Sequence, residues 1–310
     1  MPRVRKVSVV VPVYGDWPSL SECIESLKAY LNTDIHRVLL VNDCGPEADM
    51  IERNIKRAIK GVAGFKYYRN PENLGFIGNC NRAVLELDET DNDILLLNSD
   101  TKVTKGFLDE MLAVLYAEKM IAAVSPRSNN ATLATVPLRT APQKGIEPIA
   151  AYAIYERIRG KLPVYNEIPV AHGFCMLIRR TVIKKYGLFD TVFGKGYGEE
   201  VDFCMRIKQH GYKCALSNRA FVFHLEARSF TIETKNKLLE SNNKIIWERY
   251  PDYRQSVRDY METAIAKETK LEGGASLKTK LRTSTKQALK RASPRVYRLA
   301  QKVRAHRNKT

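Results

Sequence analysis

Six cysteines are scattered through 310 residues and no two of them stand in C-x-x-C spacing. That excludes a zinc ribbon and a disulfide framework, and fits a reducing compartment. No apolar run approaches the roughly 20 residues that span a bilayer. Nor does a basic, apolar, small-residue signal segment open the chain, so a cytoplasmic protein is expected. No G-x-G-x-x-G follows the first β-branched run and no G-x-x-x-x-G-K-[ST] occurs, so the dinucleotide-binding and P-loop classes lack their phosphate-binding turns. Residues 273–310 lack Asp and Glu altogether. They hold twelve Lys or Arg against a net charge of +17 for the chain, leaving +5 on residues 1–272. The basicity therefore belongs mostly to a tail.

What is present is ordinary globular composition, 44% hydrophobic and 27% charged, in a chain long enough for one large or two small domains. Lys6 to Val13 is a β-branched run that predicts a first buried strand stopping at Pro12. Ser19-x-x-Glu22 reads as a capping box opening a helix through Leu20, Cys23, Ile24, Leu27 and Leu31. Arg37 to Val41 predicts a second strand ending in Asn42-Asp43. A helix through Met50, Ile51, Ile55 and Ile59 follows, then a short strand at Phe65–Tyr68 and a helix over Leu74–Leu87. Asn92 to Leu97 predicts a fourth strand, buried on both faces and ending abruptly in Asn98, Ser99 and Asp100. Strands alternating with helices through residue 125 imply right-handed crossovers and a parallel sheet with helices on both faces.

Such a sheet brings the loops at Pro12-Val13-Tyr14, Asn42-Asp43 and Asn98-Ser99-Asp100 to one edge, where open α/β sheets bind ligands. Asp43 is placed to bond a base or ribose. One hard carboxylate at Asp100, with an amide oxygen nearby, suits Mg²⁺ or Mn²⁺ carried in by a diphosphate. The same three residues also read as a turn and helix cap. Residues 126–165 read as loop-rich, with Asn129, Asn130, Pro137, Pro142 and Pro148. Ile168–Arg180 contains another strand. A glycine-rich loop (Gly194, Gly196, Gly198) then leads to a helix whose first turn holds Glu199, Glu200 and Asp202. Acids there complement a helix dipole. Two adjacent carboxylates can also supply a general base, because like charges raise one pKa. A strand at Ala220–His224 ends in a lone histidine that is either a packed core residue or a ligand.

These pieces occur in a recognisable order: Val7-Ser8-Val9-Val10-Val11-Pro12-Val13-Tyr14, Val41-Asn42-Asp43, Asn73-Leu74-Gly75-Phe76-x-x-Asn79, Leu97-Asn98-Ser99-Asp100-Thr101, Arg179-Arg180 with Gly187-Leu188-Phe189-Asp190, Gly198-Glu199-Glu200-Val201-Asp202, and His224-x-x-x-x-Ser229. The set resembles family-2 inverting glycosyltransferases of the GT-A fold over roughly residues 6–230, and within them the bacterial surface-polysaccharide, rhamnosyltransferase-like branch. The resemblance implies an α/β fold: a Rossmann-like, nucleotide-binding mixed sheet with helices on both faces. It implies a catalytic domain over 1–230, divided into a nucleotide-sugar half at 1–125 and an acceptor half at 126–230. Its donor site would comprise Pro12, Val13, Tyr14, Asp43, Asn73, Gly75, Phe76, Asn79, Asn98 and Ser99. The D-x-D element becomes Asn98-Ser99-Asp100 here, with Asp100 and Asn98 at Mg²⁺ or Mn²⁺ and His224 able to join them. Glu200 stands where the family has its catalytic base. Because Glu replaces the family's Asp there, Glu199 and Asp202 are alternatives.

Residues 231–272 read as a helical extension. In the tail, Leu277, Leu281, Ala288, Ala292, Val296, Leu299 and Val303 fall near one helical face among the basic residues, which suits an anionic membrane surface. The expectation is a cytoplasmic enzyme, peripheral on the inner face of the plasma membrane, that moves a sugar from UDP or dTDP to a glycan or lipid-linked acceptor. The rivals are a solvated tail, a non-catalytic scaffold of the same fold, and nucleic-acid binding through the tail. The last is disfavoured because no basic, aromatic-interleaved sheet face is evident.

Overall fold

A computed structural model of the protein describes residues 5–138, 147–225 and 232–272. Four parallel strands form the first half of the sheet: β1 (Val7–Val13), β2 (Arg37–Asn42), β3 (Phe65–Arg69) and β4 (Asp93–Leu97). They lie in the order β3-β2-β1-β4, with Val9 opposite both Val38 and Leu95. Helices α1 (Trp17–Tyr30), α2 (Ala48–Ala58) and α3 (Gly75–Arg82) connect them, α3 widening into a further turn over Ala83–Leu87. Alternation sets the layers. Val9 and Val11 bury against Leu20, Ile24 and Ile51 of α1 and α2 on one face. Val10 and Leu96 bury against Ile77 and Cys80 of α3 on the other. Each such aliphatic side chain contributes about 1.5–3 kcal/mol when fully buried.

Beyond β4 the sheet becomes mixed. The remaining elements are β5 (Thr101–Val103), α4 (Phe107–Leu115), β6 (Ile121–Arg127), α5 (Pro148–Ile158), β7 (Tyr165–Ile168), β8 (Cys175–Ile178), α6 (Arg180–Tyr186), α7 (Glu199–Lys208), β9 (Lys213–His224), α8 (Ile232–Arg249) and α9 (Tyr253–Glu272). Strand β8 runs antiparallel between β4 and β6. The long β9 pairs parallel with β6 and antiparallel with β7, and its far end pairs antiparallel with β5. A wholly parallel sheet is thus confined to the first four strands.

Two local expectations are corrected. Helix α1 opens at Trp17 with Asp16 as its cap, rather than at a Ser19–Glu22 box. Pro18 sits in the first turn, where its fixed φ and missing N–H favour helix entry. The loop-rich reading of 126–165 missed α5, whose Pro148 begins a helix capped by the Glu147 side chain. It missed β7 as well.

Helices α8 and α9 share the core of the preceding residues. Ile246 and Tyr250 pack in the cluster that holds Phe193 and Phe203, and Glu268 forms a fully buried ion pair with Arg127 at 2.7 Å. Breaking either partner of such a pair costs about 3–5 kcal/mol, because it strands a buried charge. Among the described residues, no helix is long and apolar enough to cross a membrane. Ser229 and the basic segment 273–310 lie outside the described residues.

Candidate functional site

The ends of β1, β2 and β4 open into a cleft of about 1120 Å³. Pro12, Val13, Tyr14, Asp43, Asn73, Gly75, Phe76, Asn79, Asn98, Ser99, Asp100, Glu199, Glu200 and His224 all line it. Every site residue expected from the sequence is there except Asp202.

Asp43 anchors one end. Its backbone N–H donates to the Val13 carbonyl at 2.7 Å, tying the two strand tips together. Its carboxylate Oδ1 accepts from Asn70 Nδ2 at 2.7 Å and from the Leu74 N–H at 2.9 Å. Asn73 accepts from the Gly75 N–H, and Asn79 donates to the Val41 carbonyl while accepting from Asn70. The Asn73–Asn79 motif thus builds a polar ring that holds Asp43 and starts α3. Burial pushes the Asp43 pKa up, opposed by these hydrogen bonds and by the charge of Lys195. Tyr14 is 39% exposed at the rim, available to a flat ligand.

Asp100 and His224 form the middle. The β5–β9 register sets Thr101 opposite His224, and the Leu225 N–H donates to the Asp100 carbonyl at 2.9 Å. The pairing brings His224 Nε2 to 3.6 Å from Asp100 Oδ1. The imidazole is oriented from behind. Its Nδ1 lies 2.8 Å from the Asn130 carbonyl, which accepts only, so Nδ1 is the donor there and Nε2 is the nitrogen that faces Asp100. The Asn129 amide clamps the His224 backbone on both sides, and the Phe174 ring stacks on the imidazole at 5.1 Å. A carboxylate and an imidazole nitrogen this close fit adjacent ligands of one divalent ion, with a carbonyl fixing the histidine tautomer as at known metal sites. Among the described residues, no cluster of three or more His, Cys, Asp or Glu forms a complete cage. Substrate oxygens and water would have to supply the other positions, as is usual for Mg²⁺. Asn98 lines the cleft beside Asp100, its N–H donating to the Phe174 carbonyl at 2.9 Å.

Glu199 and Glu200 face the cleft from the first turn of α7. Burial raises both pKa values, and the neighbouring Glu200 charge raises Glu199 further. Two carboxyls buried side by side disfavour each other's ionisation, so ionising both at once is costly. Among the described residues, neither Glu199 Oε2 nor Glu200 Oε2, both buried, has a hydrogen-bond partner. Such orphaned oxygens in a cleft await a donor.

Asp202 lies outside the cleft lining. It is 0% exposed and accepts from Arg249 at 2.7 Å and from the Tyr250 hydroxyl at 2.9 Å. Arg206 pairs with its other oxygen at 3.3 Å. Its period along the helix turns it inward while Glu199 and Glu200 face the ligand space.

Sequence reasoning missed His172 and Lys195, which also line the cleft. His172 Nε2 accepts from the Leu133 N–H at 3.1 Å, and burial lowers its pKa to about 4, so it is a neutral imidazole. No spacing marks it; only the strand β8 that follows Gly173 brings it here. Lys195 was passed over as one residue of a glycine-rich loop.

Residues 8–187 match the family model described as glycosyl transferase family 2. The chain belongs to that family. The match stops short of Glu199, Glu200 and His224. A curated relative, the low-salt glycan biosynthesis hexosyltransferase Agl10 of Haloferax volcanii, is 26% identical over 145 residues, covering 46% of each protein. The match thus spans less than half the length of that relative. Among solved structures, the mannosyltransferase PcManGT of Pyrobaculum calidifontis, in complex with GDP-Man and Mn²⁺, is similar with a TM-score of 0.56 at 17% identity. It covers 98% of this chain and 85% of its own. A crystal structure of GalNAc-T7 with UDP, GalNAc and Mn²⁺ has a TM-score of 0.58 at 14% identity over 87% of this chain and 57% of that one. The architecture is the GT-A fold: a curled mixed sheet with helices on both faces.

Proposed function

We propose that this protein is an inverting glycosyltransferase that moves a hexose or deoxyhexose from a nucleotide diphosphate to an acceptor hydroxyl. The observation that carries the reading is the convergence on one cleft of a buried acid between two strand tips (Asp43), an acid–imidazole pair (Asp100, His224) and a buried glutamate pair (Glu199, Glu200). Asp43 with the Pro12–Tyr14 loop receives the nucleoside. Asp100 and His224, with Asn98 beside them, would hold Mg²⁺ or Mn²⁺; when bound, such an ion offsets charge building on the departing diphosphate. Both reported structures contain Mn²⁺, in line with this choice.

In the transfer step Glu200 accepts the proton of the acceptor hydroxyl while that oxygen bonds to the anomeric carbon. The bond from that carbon to the phosphate oxygen breaks, and the nucleoside diphosphate leaves with the electron pair. One displacement through an oxocarbenium-like transition state inverts the anomeric centre. In this reading Glu199, whose pKa is raised by burial and by the Glu200 charge, is the member of the pair that takes up a proton and leaves Glu200 ionised.

The acceptor we propose is a growing glycan or a lipid-linked one, in keeping with the glycan-biosynthesis name of the archaeal relative. The rhamnosyltransferase-like resemblance of the ordered motifs favours UDP or dTDP as the carrier. The basic segment 273–310 would then seat the enzyme on anionic lipid at the inner face of the plasma membrane.

Thermal-shift titration with a panel of nucleotide sugars, with and without Mn²⁺, tests the reading on wild type and Asp100→Ala. A true donor raises the Tm with concentration, needs the metal for full effect, and loses that metal dependence in Asp100→Ala. A panel in which no nucleotide sugar shifts the wild type removes the proposal.

A further inference from the structure

Helix α8 borders the cleft, with Asn236 in its lining, and a second asparagine of the helix holds the loop that forms the adjoining wall. Asn242, 6% exposed, directs its amide nitrogen at three carbonyl oxygens: Phe193 at 3.0 Å, Gly196 at 3.0 Å and Tyr197 at 2.8 Å. Those carbonyls belong to the loop between the Thr191–Phe193 turn and α7. The loop is strained, since Tyr197 carries a side chain at φ 68°, a conformation costing about 1–3 kcal/mol that persists only where surroundings enforce it. Water could satisfy the same carbonyls, but only a fixed amide also sets their relative positions.

The loop carries functional cargo. It brings Lys195 to the cleft and close to Gly75, and it hands the chain directly to Glu199 and Glu200. Asp202, one turn into α7, is held by Arg249 and Tyr250 at the other end of α8. The helix therefore grips both sides of the turn that presents the glutamate pair.

We propose that Asn242 is a positioning residue for the transfer step, fixing residues 193–198 so that Lys195 faces the donor and Glu200 meets the acceptor hydroxyl. This rests on the nucleotide-sugar reading of the cleft. The test uses the full chain with Asn242→Asp and Asn242→Ala. Asp keeps the shape but replaces the N–H donors with an acceptor facing three acceptors. As a control, Glu240→Ala removes an exposed residue of the same helix that, among the described residues, pairs with Lys244 alone.

For folded Asn242→Asp, kcat is expected to fall about tenfold to a hundredfold, the scale of a small misplacement of a catalytic group. The acceptor KM should stay within about threefold, since only an interaction of the transition state is lost. The control should match wild type. A purely architectural asparagine would lower the Tm and leave kcat per folded molecule unchanged, and that result overturns the proposal. Hydrogen exchange on the wild type needs no variant. The Gly194 and Gly196 amides, which donate to the Thr191 and Phe193 carbonyls, should exchange as slowly as those of α7 beyond its first turn, and free exchange at both also overturns it. If the wild type transfers sugar from no nucleotide donor, the reading of the cleft fails, while the exchange result still judges the latch.

Discussion

Glu199 and Glu200 are chemically identical neighbours, and their difference comes from what surrounds each carboxyl. Burial raises both pKa values, and the neighbouring Glu200 charge raises Glu199 further. A base must be ionised to act. Because the Glu200 pKa lies above the ordinary glutamate value of about 4.3, turnover should rise with pH along an acid limb centred above that value. Glu200→Gln should bind donor normally and lose at least about a hundredfold in turnover, the low end for a general base. Glu199→Gln keeps an N–H donor toward Glu200 and should lose far less. Steady-state rates from pH 4 to 9 with donor binding measured in parallel check both; equal losses in the two variants would dissolve the division of labour. This acid pair was legible as two roles, dipole complement or base, but not as a choice between Glu200 and Asp202. What decided against Asp202 is Arg249, 47 residues away in sequence, and no local pattern reports such a partner.

At the scale of elements, legibility followed how much of the signal is local. Strands β1, β2 and β4 announce themselves as aliphatic runs ending in polar residues, and their tips meet as expected. Strand β5 has three residues, too few for periodicity, and exists because β9 continues past β6 to pair with it. Of β9, only Ala220–His224 is legible as strand, because the polar Ser217-Asn218-Arg219 interrupts the apolar run. In the structure Asn218 instead accepts from buried Arg127 at 2.7 Å and donates to the Pro163 carbonyl. Pro148 was taken as a breaker where it starts α5. The turn after β2 was read no further than Asp43, yet it carries a strong constraint. A Cβ on Gly45 would stand 1.8 Å from the Tyr14 carbonyl oxygen, so the β1 and β2 loops can touch only if residue 45 has no side chain. Gly45→Ala should cost about 1–3 kcal/mol by overpacking and, by pushing the Tyr14 loop off Asp43, weaken nucleotide binding. Chemical denaturation and nucleotide titration of the folded variant measure the two effects; unchanged nucleotide affinity would separate the loop contact from the donor site.

Across the whole molecule, charge and catalysis are segregated. The described cleft gathers Asp16, Asp43, Glu47, Asp100, Glu199 and Glu200 around one lining cation, Lys195, an acidic lining on which a bound divalent ion would favour a diphosphate. Twelve of the net seventeen positive charges lie instead in residues 273–310, on a segment whose apolar residues recur near one helical face. A cluster of basic residues at an anionic bilayer gains about 1 kcal/mol per Lys or Arg near the surface. Scattered apolar residues add burial in the interface. Such a segment would bring the cleft to acceptors held in the membrane without contributing to donor binding, so removing it should separate the two properties. In co-sedimentation with vesicles of mixed neutral and anionic lipid at low salt, full-length protein should pellet and residues 1–272 should remain in solution. Both should show the same Mn²⁺-dependent shift with the donor. Added salt should release the full-length protein, because the attraction is screened beyond a Debye length of about 8 Å at physiological ionic strength. Equal pelleting of the two forms would remove the tail from membrane binding. Pelleting of neither, with a strong mobility shift on RNA for the full-length form alone, would turn the tail into a polyanion-binding arm and leave the assignment of the cleft untouched.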